Sequence, residues 1–338
     1  MENAKLNKRV EWIDILKGIG IIYVVIGHAN NNQMLSRYIN SFHMPLFFLI
    51  SGYLFNHSKY ENIIIFIKKK FKTLILPYCI FAIIGMVFQF SFREMLEIQF
   101  YKRQVLYGII TTNGIWNGPI WFLVCLFFVE ILYYLLTSQD NKYIQNIGVL
   151  LFSLIGYLLS NHFEVMLIWR LNTAFTALLF FHIGNIFKTK KNLNLNIAKA
   201  IIISISAFLI SIFVAMKLNT LVIVSRGQYG NYFYFHIAAL AGVIFYITLS
   251  KAIDKIYILN KILSYLGKNS IVIMSLHWIP LVFIPYITRE QFNYTPNMFI
   301  RTIMVLIVLL PFIAVINSYF PCIIGKPRNK RHSQVLTQ

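Results

Sequence analysis

Acidic residues are scarce in this chain: 11 aspartates and glutamates stand against 31 lysines and arginines, and the charged types together make up only 12% of 338 residues. So little charge excludes a soluble globular protein, in which about a quarter of residues are charged. Cysteine is equally sparse. Cys79, Cys125 and Cys322 have no metal-ligand spacing and fall in or beside apolar segments, so neither a disulfide framework nor a zinc site is expected, and the three read as packing residues. No small-x-small cleavage site follows the first apolar run, which therefore reads as an uncleaved span. Tandem repeats, low-complexity tracts and an attached soluble domain are also missing. With no soluble domain to carry a basic stripe, the formal charge of +20 does not indicate a nucleic-acid partner.

What is abundant is apolar surface. A hydrophobic share of 58%, with 16% aromatics and a mean hydropathy of +0.66, describes an integral membrane protein. A bilayer asks for roughly 17 to 25 apolar residues per helix. Ten runs fit: 12–29, 40–57, 73–92, 118–138, 146–162, 172–187, 197–216, 232–250, 269–287 and 298–319, the second, fifth and sixth being the least apolar. If the N-terminus is cytoplasmic, 21 of the 31 basic residues fall in inside segments and eight outside. By the positive-inside rule the chain is expected N-in and C-in, and the basic excess becomes mostly a matter of topology. The expected fold is an all-α, polytopic membrane bundle of about ten helices: one transmembrane domain over residues 1–320, then a short basic cytoplasmic tail over 321–338. The longest outside loop, 93–117, holds FREMLEIQFYKRQ and then NGIWNGP, which predicts a short surface helix followed by a tight re-entry.

Ionisable side chains at membrane depth are expensive and point to function. Here they are Asp14, Lys17, His28, His43, Glu130, His182, His236, His277 and Arg301. Lys17 and His28 are eleven residues apart, three turns plus roughly 20°, so they share one helix face about 16 Å apart along the axis. Asp14, three residues before Lys17, can pair with it. The bland readings are snorkelling for Lys17 and an interhelical contact for His28. His43 lies in FHMPLFFLISGYLF, with Pro45 expected in the first turn of the second span, where a missing N–H costs little. If residues 30–39 form a hairpin, His43 stands near the outer surface beside His28. The run IKKKFKTLILPY places Lys68, Lys69, Lys70 and Lys72 on the inside surface, either as topological anchors in contact with membrane lipids or as a dock for cofactor phosphates. Glu130 needs a basic or hydrogen-bonding partner, for which Lys17 at comparable depth is one candidate. His236 and His277 are each as readily structural as functional, and His182 reads as structural.

These residues, taken in order, resemble a known family. Lys17 and His28 within WIDILKGIGIIYVVIGH, then FHMPLFFLISGYLF, basic residues before LPY, the IWFL segment containing Trp121, and GKNSIVIMSLHWIP together look like the acyltransferase-3 family of polytopic membrane acyltransferases, closest to its fucose 4-O-acetylase-like branch. The resemblance implies transfer of an acyl group, usually acetyl, from cytoplasmic acyl-CoA to a hydroxyl of a surface glycan or lipid-linked sugar, in a bacterial-type plasma membrane. It implies that Lys17 is the family's basic residue and His28 its essential histidine. His43 matches a histidine of the branch and His277 one in a later span, while Trp121, Glu130 and His236 are supporting candidates. On this reading, acetyl-CoA sets its phosphates against Lys17 and the basic loop. His28 acts either as general base or as transient acyl acceptor. The competing class is a glycan flippase or exporter using the titratable groups as a proton relay. The matching broken spans in two halves that such folds often show are not visible here.

Overall fold

The computed structural model describes residues 10–92, 108, 112, 118–165, 167–189 and 196–326. The expected surface helix and re-entry within 93–117, and the basic residues at both ends of the chain, lie outside the described residues. Among those described no strand forms; Ile223 and Gln228 make an isolated antiparallel bridge. Contacts within the chain divide it into two compact units.

The first unit comprises residues 1–54, 183–222 and 229–270. Its helices are α1 (Glu11–Ala29) and α2 (Gln33–Leu54), then, continuing the numbering used below, α8 (Ile197–Phe213), α9 (Tyr232–Ile253) and α10 (Tyr257–Lys268). Glu11 and Asp14 sit in the first turn of α1, where carboxylates complement the helix dipole. The turn to α2 is only residues 30–32. Asn30 Oδ1 accepts the Asn32 N–H, and Asn32 Oδ1 accepts the N–H groups of Met34 and Leu35, capping α2. Because α2 starts so early, Pro45 is interior to the helix rather than in its first turn. Its missing N–H leaves the Ser41 carbonyl without the usual intrahelical donor. Ile15, Leu16, Phe42, Leu46 and Val243 form the buried core between α1, α2 and α9. Small residues let α1 and α10 meet backbone to backbone: a Cβ on Gly18 would collide with the Leu263 carbonyl, and one on Gly267 with the Asp14 carbonyl.

The second unit comprises residues 55–182, 223–228 and 271–338. It holds α3 (Ile63–Lys70), α4 (Leu76–Ser91), α5 (Trp121–Thr137), α6 (Lys142–Tyr157), most of α7 (Leu171–Thr189), α11 (Ser270–Leu276), α12 (Trp278–Phe292) and α13 (Met298–Tyr319). A π-helical stretch, Phe71–Ile75, joins α3 to α4 just before Pro77, whose missing N–H cannot serve the Thr73 carbonyl. The joined helix Ile63–Ser91 has 29 residues, about 43 Å against a hydrocarbon core of about 30 Å. It is therefore longer than an untilted crossing needs. α11 and α12 bend by 53° at His277, three residues before Pro280.

Among the described residues, seven helical segments are long and apolar enough to cross a membrane, or eight with the bent α11–α12 pair. All ten expected spans are helical, but α2 and α7, the second and sixth, are not among those eight. At 22 and 19 residues they have the length; polar side chains lower their hydropathy. Ser41 in α2 and Asn172, Thr173, Thr176 and His182 in α7 are buried, so this polarity is turned inward.

Candidate functional site

In the first unit, α1 and α2 bring His28 and His43 together. Gly20 faces Leu46 and Phe47, and a Cβ on Gly27 would touch Ile39 at 3.4 Å. This antiparallel register sets His43 level with Tyr23, so that it stands on the helix facing α1 about one and a half turns along the axis from His28. The His28 side chain, in the last turn of α1, is exposed, and that of His43 is partly buried. His43 Nδ1 lies 2.8 Å from the Ile39 carbonyl oxygen. A carbonyl only accepts, so Nδ1 carries the hydrogen and the neutral ring presents its lone pair at Nε2. His236 on Tyr232 and His277 on Ile273 are oriented in the same way, at 2.8 and 2.9 Å.

Lys17 and Asp14 occupy the other half of α1, with Asp14 buried and Lys17 partly so. The face joining Lys17 to His28 is closed, because Ile21 and Val24 between them are buried at 1% and 5% exposure. An extended ligand arm therefore cannot lie along this face until those residues are uncovered. The Lys17 end of α1 is mixed in charge rather than simply basic. Asn260 of α10 donates to Glu11 at 3.2 Å and to the Asp254 carboxylate at 2.9 Å, while the Lys251 ammonium lies 5.3 Å from the Trp12 ring.

A chain of three phenols crosses the same helices. The Tyr246 hydroxyl donates to Tyr23 at 2.8 Å and lies 3.2 Å from that of Tyr38, with the Phe42 ring stacked on Tyr246 at 4.6 Å. Sequence reasoning missed this trio, since tyrosines scattered over three apolar helices carry no spacing that links them.

In the second unit the partner of Glu130 is Lys70, not Lys17: Lys70 Nζ donates to Glu130 Oε1 at 2.9 Å, with Glu130 6% exposed. Lys70 is thereby separated from Lys68, Lys69 and Lys72, the other basic residues of the same continuous helix. Lys68, Lys69 and Lys72 are exposed, and the Lys69 ammonium lies 5.2 Å from the Tyr60 ring. His182, read as structural from the sequence, bridges two side chains. Its Nε2 is 3.0 Å from the Asn146 amide oxygen, so it donates there and accepts from Tyr133 at Nδ1, also 3.0 Å away. His277 is fully buried at the bend between α11 and α12. Arg301 donates to the Leu281 carbonyl, the very group that Pro285, four residues on, cannot serve.

Trp121 is buried beneath Arg170, whose guanidinium carbon lies 5.5 Å from the ring and whose Nε donates to Thr112 at 3.1 Å. Trp169 and Arg170 both take left-handed backbone conformations, with φ of 52° and 59°. For residues other than glycine this is strained and persists only where the surroundings impose it. Sequence reasoning counted Arg170 as an outside loop cation, and neither its burial nor its backbone leaves a mark in the residue pattern.

No curated protein and no solved structure matches the chain. The family model described as an acyltransferase domain matches residues 10–316, nearly the whole length, and the chain belongs to that acyltransferase family.

Proposed function

We propose that this membrane acyltransferase moves an acetyl group from cytoplasmic acetyl-CoA to a hydroxyl of a cell-surface or lipid-linked glycan. The observation that carries the reading is the register of α1 against α2, which sets His28 and His43 on facing helices about one and a half turns apart, inside a chain of this family. His28, with its exposed ring, takes the proton of the acceptor hydroxyl as that oxygen attacks the thioester carbonyl. The C–S bond then breaks, and the leaving thiolate is protonated to CoA. His43, held by the Ile39 carbonyl, supports this step from its fixed Nε2. Lys17 pairs with the cofactor's phosphates, Lys68 and Lys69 draw the anionic donor toward the membrane by long-range charge, and the packed face between Lys17 and His28 opens to admit it. We place the chain in the plasma membrane with ten crossings, α2 and α7 included, and both ends cytoplasmic, as the distribution of basic residues favours.

The test is purified full-length protein supplied with acetyl-CoA labelled in the acetyl group, together with NMR of surface glycan from cells with and without the gene. Thiol release and loss of one ester signal on deletion are expected. Unchanged glycan and no turnover would exclude the reaction and favour an exporter.

A further inference from the structure

The second unit carries a groove of about 550 Å³ between α4, α12 and α13, and every residue that lines it is apolar. Its origin is in the prolines. The α11–α12 pair is bent at His277, and α13 contains Pro311, so these helices cannot pack along their full lengths. Ile84, Val308, Phe312 and Val315, which line the groove, are also exposed on the outside of the chain, so it opens there. The lining runs along α13 from Val308 and ends at Phe320, just past its last residue, about 18 Å in all and close to the roughly 15 Å depth of a single leaflet. Phe283 packs edge-on against Phe88 and Phe92 at 5.1 and 4.9 Å and closes one end.

The other end is basic. Lys326 donates to Asn317 at 2.7 Å, one residue from the lining residue Ile316. A Cβ on Gly325 would meet Thr73 at 2.8 Å, so Lys326 and Lys72, the chain neighbours of these two residues, stand at one level, both exposed. A groove as deep as one leaflet, apolar throughout and ending at two lysines, matches an amphiphile with one long tail in the groove and an anionic head. We propose that it seats one acyl tail of an anionic phospholipid from the leaflet at the C-terminal end of α13, with the headgroup phosphate on Lys326 and Lys72.

The test is native mass spectrometry of the full-length protein in neutral detergent, titrated with phosphatidylglycerol or phosphatidylcholine of the same chains. Wild type should retain phosphatidylglycerol about 20- to 30-fold better, at roughly fivefold per lysine. Lys72→Gln with Lys326→Gln should remove that preference and leave phosphatidylcholine binding intact, while Val315→Trp should weaken both lipids. Because both lysines are exposed, the first variant keeps the test decisive even if the second folds poorly. Equal retention of the two lipids by wild type, or a preference that survives loss of both lysines, overturns the proposal. So does displacement of phosphatidylglycerol by an equimolar polyprenyl phosphate, which would give the groove to a lipid-linked substrate instead.

Discussion

Lys70 and Glu130 form an ion pair of 2.9 Å between α3 and α5, with their side chains 18% and 6% exposed. Removing one member of a buried pair strands the other charge and costs about 3 kcal/mol. Lys70→Gln should therefore lower the thermal unfolding temperature in detergent, which tryptophan fluorescence can follow. Lys68→Gln and Lys69→Gln, on exposed neighbours, should leave it unchanged. Equal destabilisation by all three would contradict the pairing.

The two exposed neighbours have a different readout in kinetics. With Lys68 and Lys69 replaced by Gln, KM for acetyl-CoA should rise several-fold at low salt and less at high salt, where the wild-type attraction is already screened. The kcat should barely change, because a phosphate contact far from the thioester acts equally on ground and transition states. An unchanged KM at low salt would return these lysines to topology alone.

Arg301 substitutes for the N–H that Pro285 lacks, and this coupling can be measured. Arg301→Leu should destabilise wild type by about 1.5 to 3 kcal/mol, as expected for a hydrogen bond to a charged group. In a Pro285→Ala background the restored N–H can serve the Leu281 carbonyl, so the same substitution should cost less. Identical costs in both backgrounds would show that the two are independent.

The α1–α10 junction has no room for a side chain at Gly18 or Gly267. Gly267→Val should prevent α10 from seating against Asp14 and lower stability sharply, whereas Gly118→Ala, with no atom of the described residues within 4 Å of the added methyl, should be neutral. Thermal unfolding of both variants checks this, and a stable Gly267→Val protein would contradict it.

The helices themselves were legible in the sequence, because a bilayer imposes long apolar runs and these runs are where helices formed. What was not legible was decided by contacts remote in sequence. Pro45 is expected in a first turn because the second apolar run is read from residue 40; α2 starts earlier, at Gln33, because its asparagine cap sets the start. Lys70 looks the same as Lys68 and Lys69 in a string, and only Glu130, sixty residues away, separates it from them. His28 and Lys17 were found because one helix carries both at a readable spacing. The burial of Ile21 and Val24 between them depends on packing, which periodicity does not report.

The account rests on His28 performing the chemistry and Lys17 serving the donor. The most direct test is turnover and acetyl-CoA binding measured on the same purified preparations of wild type and His28→Ala, with size-exclusion chromatography confirming the fold. Loss of a group that moves a proton typically costs 10²- to 10⁴-fold in rate. A collapse of kcat by that order, with donor binding retained, is the predicted result, and near wild-type turnover by His28→Ala would contradict the mechanism.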